Sequence, residues 1–168
     1  YFNSIIQNKK ISNFEKITAQ VLLNYNKIFE NQSYDYKIAF NTIPRWWMQK
    51  NYKNFVLIND AFINCYRDNI NTDLNFQKLI DPNELNFIRY NFFYINFLLS
   101  KNRNNEALKI LENHKEIFDD NLLLNQTRLW LEEGKMDEIK EIFDCKNSHH
   151  LVAEFLYLIA NFHSSEGN

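Results

Sequence analysis

The chain has 168 residues, of which 45% are hydrophobic and 24% are charged, and its formal net charge is −2. This balance is typical of a folded protein and excludes a disordered one, while the near-neutral charge offers no basic stripe for a nucleic acid. With two glycines and two prolines, the sequence also lacks the many tight turns of sandwiches and barrels. Composition therefore predicts one folded domain of ordinary size that is not all-β.

The first predicted helix has a strong start signal. Ser12 and Glu15 form a capping box, in which each side chain accepts a hydrogen bond from a backbone N–H that the helix leaves free. Apolar residues then recur at helical spacing. The pattern predicts a helix over 12–30.

An aromatic-rich segment at 34–68 predicts two further helices. Pro44 marks a helix start or a kink, because proline has no backbone N–H to donate. The Arg-Trp-Trp run at 45–47 is a candidate interface hot spot, since Trp and Arg dominate interface energetics, but packing of both indoles in the core is the favoured interpretation. Residues 70–80 predict a loop with a short helix at its end.

The second half of the chain alternates helices with connections of a few residues. The run Asp-Pro-Asn-Glu at 81–84 combines a cap, a first-turn proline and a capping-box glutamate, and predicts a helix that ends near Lys101. Asn104 is a candidate cap for the next helix, over 105–118. Such short connections predict antiparallel neighbours.

Three more helices are predicted after residue 118. An aspartate at 119–120 caps the next one, which ends at Gly134, a residue suited to a left-handed helix stop. A short helix follows over 136–143. Ser148 is a candidate cap for the last helix, over 149–163.

Two stretches of the second half have nearly the same pattern. Residues 98–111 read LLSKNRNNEALKIL and residues 130–143 read WLEEGKMDEIKEIF. Ala107 and Ile139 occupy equivalent places, so the period is 139 − 107 = 32 residues. A fixed period in this range is the mark of a stacked helical repeat, and such repeats usually provide binding surfaces.

On these residues the chain resembles the tetratricopeptide repeat family, in which each repeat is a helical hairpin with a glycine-containing turn. The matching positions are Leu98, Asn102, Glu106, Ala107 and Leu111 in one copy and Trp130, Gly134, Glu138, Ile139 and Phe143 in the other. Ile139, Ile95 and Thr127 depart from the family, which prefers small residues at those places. The alternative is an irregular helical bundle with a chance similarity.

The resemblance implies an all-α, right-handed superhelical array of antiparallel helical hairpins, a TPR-like α-solenoid. Within one domain it implies divergent hairpins over 1–80, TPR-like hairpins over 82–118 and 119–145, and the first helix of a further hairpin over 148–167. A lone first helix cannot bury its apolar face. We therefore expect the chain to be a fragment of a longer protein, unless the last helix is itself a terminal cap.

The resemblance also implies a partner-binding groove, because the first helices of the family line a concave face. The residues at those positions are Arg89, Phe92, Asn96, Leu124, Arg128, Tyr157 and Asn161. Asn96, Arg128 and Asn161 recur once per repeat and could pair with the backbone of an extended peptide, while the apolar members offer pockets. The alternative is a row of ordinary solvated side chains in an asparagine-rich chain.

The sequence predicts no metal, cofactor or catalytic residue. Cys65 and Cys145 lie eighty residues apart and are expected to be reduced, buried thiols. Cys145, His149 and His150 fit no common zinc spacing, and adjacent helical residues diverge by about 100°. Two glycines cannot build a phosphate loop or a dinucleotide fingerprint.

We expect a non-catalytic scaffold that binds a protein or peptide in the groove of its repeats. The alternative is a regulatory or substrate-recruiting helical domain of a larger enzyme, and a nucleic-acid partner is disfavoured by charge. No run reaches the roughly 18 apolar residues of a membrane span. We expect a soluble protein, with the cytoplasm favoured over the periplasm, although the chain opens on Tyr1 and a targeting segment could have been removed.

Overall fold

The computed structural model describes residues 2–8, 10–31, 45–113 and 121–165, and every regular element within these ranges is an α-helix. The helices are α1 (Phe2–Gln7), α2 (Asn13–Phe29), α3 (Arg45–Tyr66), α4 (Thr72–Ile80), α5 (Arg89–Ser100), α6 (Asn104–Asn113), α7 (Leu122–Glu132), α8 (Met136–Ile142) and α9 (Ser148–Ser165). The predicted all-α class is confirmed. Among these helices, none is both long enough and apolar enough to span a bilayer.

The described residues fall into two compact units, one from 1–53 and 151–168 and the other from 54–150. In the first unit, α1 packs on α2, and the rings of Tyr25 and Phe155 lie 5.9 Å apart. The predicted capping box is present: the N–H of Glu15 donates to Ser12 Oγ at 3.2 Å, and the N–H of Ser12 donates to Glu15 Oε2 at 2.9 Å.

In the second unit, α5 is the central helix and packs on α4, α6, α7 and α8. An aromatic cluster holds it in place, because the Phe93 ring lies 5.0 Å from that of Phe62 and 4.7 Å from that of Phe143, both edge to face. Such edge-to-face pairs add stabilisation beyond the apolar area that they bury. Helix α5 therefore has neighbours on most of its circumference.

The helix predicted to open at residues 81–84 begins only at Arg89. Asp81 Oδ1 accepts the N–H of Asn83 at 2.8 Å, which makes a turn rather than a helix cap. The N–H of Phe87 then donates to the carbonyl of Leu79 at 2.9 Å. Local side-chain bonds of Asp and Asn compete with helix formation, and here they extend the connection by two turns.

The two predicted repeat copies share one turn geometry. Asn102 and Gly134, 32 positions apart, have left-handed φ values of 58° and 72°. The same six-residue hydrogen bond closes both turns, from the N–H of Arg103 to the carbonyl of Leu98 at 2.9 Å and from the N–H of Lys135 to the carbonyl of Trp130 at 2.7 Å. These bonds satisfy carbonyls that a helix end leaves free.

Three other helix starts differ from the predicted caps. Asn104, predicted to cap α6, is the first helical residue, and its Oδ1 accepts no hydrogen bond. Residues 119–120, predicted to cap α7, lie outside the described residues, and Asn121 Oδ1 accepts the N–H of Leu124 at 3.2 Å instead. Before α9, Asn147 Oδ1 accepts the N–H of His149 at 3.0 Å, and Ser148 is already helical.

In the aromatic-rich segment, α3 begins directly after Pro44 and runs to Tyr66 as one helix. The rest of the predicted pair of helices, at 34–44, lies outside the described residues, as do the side chains of the Arg-Trp-Trp run at 45–47. Helix α4 covers Thr72–Ile80 and so starts four residues before the short helix predicted over 76–80.

The prediction of reduced cysteines is wrong. Cys65 and Cys145 form a disulfide, with Cα atoms 5.8 Å apart across a sequence separation of 80. Both residues are buried, as expected. Sequence spacing missed the bond because the tertiary fold brings the end of α3 to the residues that follow α8.

Candidate functional site

The groove residues predicted on α5 lie inside the second unit. All residues from 90 to 99 are buried, including Phe92 and Asn96. The Asn96 amide Nδ2 donates to the backbone carbonyl of Ile139 at 3.1 Å. The same carbonyl also accepts the N–H of Phe143 at 3.4 Å, so the Asn96 amide is its second donor. Asn96 therefore links α5 to α8 and does not present its amide to solvent.

The groove residues predicted on α7 have mixed positions. Leu124 is fully buried, and its N–H donates to Oδ1 of the capping residue Asn121. Arg128 is half-buried, and its guanidinium donates to Asn125 Oδ1 on the same helix at 2.8 Å. Arg128 thus keeps a partly open guanidinium at the place that Asn96 occupies in the preceding copy.

Arg89, at the start of α5, is half-buried, and its guanidinium carbon lies 5.2 Å from the centre of the Phe93 ring. A cation in this position is attracted by the negative face of the ring. Arg89 is therefore oriented by the aromatic cluster of the second unit.

Tyr157 and Asn161, predicted for the same groove, are exposed on α9 in the first unit. The neighbouring Glu154 is buried, and burial together with the Glu154 charge raises the pKa of Tyr25 above its ordinary value of 10.0. The predicted row of one polar residue per repeat thus has one buried, one half-buried and one exposed member.

The strongest electrostatic feature of the second unit is an ion network that joins α4, α5 and α6. Arg103 Nη1 donates to both carboxylate oxygens of Asp73 at 2.8 Å, and its other nitrogens bind Glu106 at 2.7 Å. These bonds raise the pKa of Arg103 and lower that of Glu106. The Tyr94 hydroxyl donates to Asp73 at 2.9 Å. Because each of these groups has its hydrogen-bond partner within the network, we assign the network to packing.

Burial is the main reason that the pKa of Tyr94 rises to about 12. The hydroxyl is therefore protonated at neutral pH and can donate its hydrogen bond to Asp73. Its oxygen also accepts a hydrogen bond from Gln77 Nε2 at 3.1 Å. This arrangement fixes the ring of Tyr94 between α4 and α5 and does not create a reactive phenolate.

Two of the three residues considered as metal ligands, Cys145 and His150, are bonded to other groups of the protein. Cys145 is joined to Cys65 and supplies no thiolate, and His150 Nδ1 accepts the N–H of Asp144 at 2.9 Å. No group of three or more potential ligands occurs among the described ranges.

The α7–α8 hairpin exposes a set of apolar side chains that were not predicted as a binding surface. Leu122 is 87% exposed, Leu129 is 41% exposed and Ile142 is 44% exposed. Leu122 and Leu129 are seven residues apart, which places them on one stripe of α7. The sequence has no signal for their exposure, because the run of leucines at 122–124 is no more apolar than the run at 90–99 on α5, all of which is buried.

No protein-family model, curated protein or solved structure matches this chain.

Proposed function

We propose that this chain is a non-catalytic scaffold that binds a protein or peptide through an array of TPR-like helical hairpins. The observation that carries the proposal is the exposed apolar stripe of α7, formed by Leu122 and Leu129, on a hairpin whose second helix, α8, also exposes Ile142. Single exposed apolar residues are ordinary, but neighbouring ones on one helical hairpin are typical of surfaces that bind partners.

The repeat geometry supports the same proposal. The turns at Asn102 and Gly134 have matching left-handed conformations and matching hydrogen bonds, as stacked hairpins of one type require. The burial of Phe92, Asn96 and Leu124 removes them from the contact surface. The proposed surface therefore uses the outward residues of α7 and α8, with Arg128 at its side as a polar contact.

A selection of displayed peptides against the purified chain tests this proposal. We expect the selected peptides to bind at least tenfold more weakly to the double variant Leu122→Ser/Leu129→Ser, because an apolar anchor contributes more than 1 kcal/mol at most hot spots. The matched control is Leu108→Ser, which alters an exposed leucine on α6 and should leave binding unchanged.

The circular dichroism spectra of all variants should be the same, because the changed side chains are exposed. Equal binding by the double variant and the control would contradict the surface assigned here. Failure to select any peptide that binds the folded chain would contradict the proposed function.

A further inference from the structure

Two separate links join the end of α3 to the residues that follow α8. The first is the Cys65–Cys145 disulfide. The second is made by Lys146, whose ammonium group donates to the carbonyl of Tyr66 at 2.7 Å and pairs with Asp68 Oδ2 at 2.5 Å. The sequence neighbour of each cysteine is thus bonded to the sequence neighbour of the other.

Asp68 also connects this link to a third segment of the chain. Its Oδ1 accepts from the ammonium group of Lys101, just after α5, at 2.6 Å. The hydrogen bonds from Lys101 and Lys146 lower the pKa of the Asp68 carboxyl, which is therefore charged at neutral pH. None of these bonds involves a sulfur atom, so all of them remain available when the cysteines are reduced.

We propose that Cys65 and Cys145 form a structural disulfide that the chain closes while it folds in a thiol-oxidising compartment, and that Lys146 and Asp68 position the two thiols for closure. An ionic link that forms first lowers the entropic cost of bringing together residues that lie 80 positions apart. It raises the effective concentration of one thiol at the other.

The chemistry is thiol–disulfide exchange with a disulfide donor. One cysteine thiolate attacks the donor disulfide, forms a mixed disulfide and releases the first donor thiolate; the second cysteine thiolate then attacks the mixed disulfide and releases the other. The cysteines lose two electrons and two protons, and the donor disulfide gains them as two thiols. Glutathione and thioredoxin oppose this reaction in the cytosol, whereas secretory and periplasmic compartments support it.

Burial explains why the bond is structural. Cys65 and Cys145 are both more than nine-tenths buried, so a soluble thiol cannot reach either sulfur in the folded state. Exchange requires opening of this part of the second unit. The disulfide is therefore expected to resist mild reductants that reduce exposed disulfides.

A redox titration of the chain with reduced and oxidised glutathione tests the proposal, and it is run from the reduced and from the oxidised side until the two agree, because exchange passes through the opened state. The glutathione ratio at which half of the chain is oxidised gives the effective concentration of the two thiols. We expect Lys146→Met and Asp68→Asn to lower this value by about three- to tenfold, the range of a partly exposed ion pair with one added hydrogen bond. The matched control, Lys140→Met, removes an exposed lysine that pairs with Asp137 at 3.3 Å on α8 and should change nothing.

Thiol counting provides the second measurement. Wild-type chain exported to a bacterial periplasm should show no alkylated cysteine after denaturation without reductant, and two after reduction. Two reactive thiols before reduction would overturn the disulfide. If the effective concentration is the same in the wild type and in the Lys146→Met and Asp68→Asn variants, the proposed positioning role of Lys146 and Asp68 is overturned. Circular dichroism of each reduced variant shows that it is folded before the titration.

Discussion

The two hairpins of the second unit, α5–α6 and α7–α8, begin from similar sequences and reach different environments. Their turns agree, and so do the buried positions that follow: Ala107 and Ile139 are fully buried at equivalent places, and Leu111 and Phe143 are buried four residues later, Phe143 just past the end of α8. The elements set by local residues are thus repeated. Residues that are close in sequence determine both the left-handed turn and the apolar position one helical turn later, without a contact to a distant part of the chain.

Their first helices differ. Residues 90–99 of α5 are all buried, whereas α7 exposes Leu122 and Leu129. Asn96 is bonded to a carbonyl of α8 inside the core, while its equivalent, Arg128, is half-exposed. Residues at equivalent repeat positions therefore share a place in the hairpin, but their burial and contacts depend on the helices that pack around them.

The largest expected effect tests the shared part of the comparison. Phe143→Ala should lower the free energy of unfolding by about 3–5 kcal/mol, because the ring contacts Phe62 and Phe93 in the core. The adjacent, exposed Ile142→Ala should cost less than about 1 kcal/mol. Urea unfolding followed by circular dichroism measures both. A loss below about 1 kcal/mol for Phe143→Ala would show that the repeat register is wrong.

The next effect tests the difference between the two first helices. Asn96→Ala should cost about 1–3 kcal/mol, since the variant loses both a buried hydrogen bond to the Ile139 carbonyl and the packing of a buried side chain. Arg128→Ala, at the equivalent position, should change the stability by no more than about 0.5 kcal/mol. Similar losses in the two variants, measured by the same urea titration, would mean that the two helices are not packed differently.

The smallest effect concerns the matching turns. Gly134→Ala should cost about 1–2 kcal/mol, because an L-residue is disfavoured at a φ of 72°. Beyond the two chain neighbours, no atom lies within 4 Å of the added Cβ, so the loss comes from the backbone conformation. Asn102→Gly should be neutral or stabilise by up to about 1 kcal/mol. Thermal melting of the two variants checks the opposite signs, and a stabilised Gly134→Ala variant would exclude the left-handed turn.

Local signals were sufficient for much of the fold. The Ser12–Glu15 capping box, the stop at Gly134 and the short helix predicted over 136–143 follow from residues adjacent in sequence, and they are present, the helix over 136–142. The start of α5 was misplaced by seven residues, from 82 to 89, because the side chain of Asp81 makes a turn instead of a helix cap. A cap signature does not reveal which of two local hydrogen bonds forms.

The candidate site was less predictable. The resemblance placed Phe92, Asn96 and Leu124 on an open groove, and all three are buried. Residue type is no guide here, because an asparagine that satisfies a helix carbonyl has the same sequence signal as one in water. Exposure of Leu122 and Leu129 likewise depends on which neighbours α7 has, and a single sequence carries no such information.

By itself, the sequence determined the all-α class, the 32-residue spacing of the two turns and the buried positions of the second helices, because helix periodicity and turn chemistry act within a few residues. Only the tertiary structure decided that Cys65 meets Cys145, that Asn96 bonds to Ile139, and that α5 is enclosed while α7 is open. Those outcomes join residues 43 and 80 positions apart, and contacts at such distances are selected by the packing of whole helices.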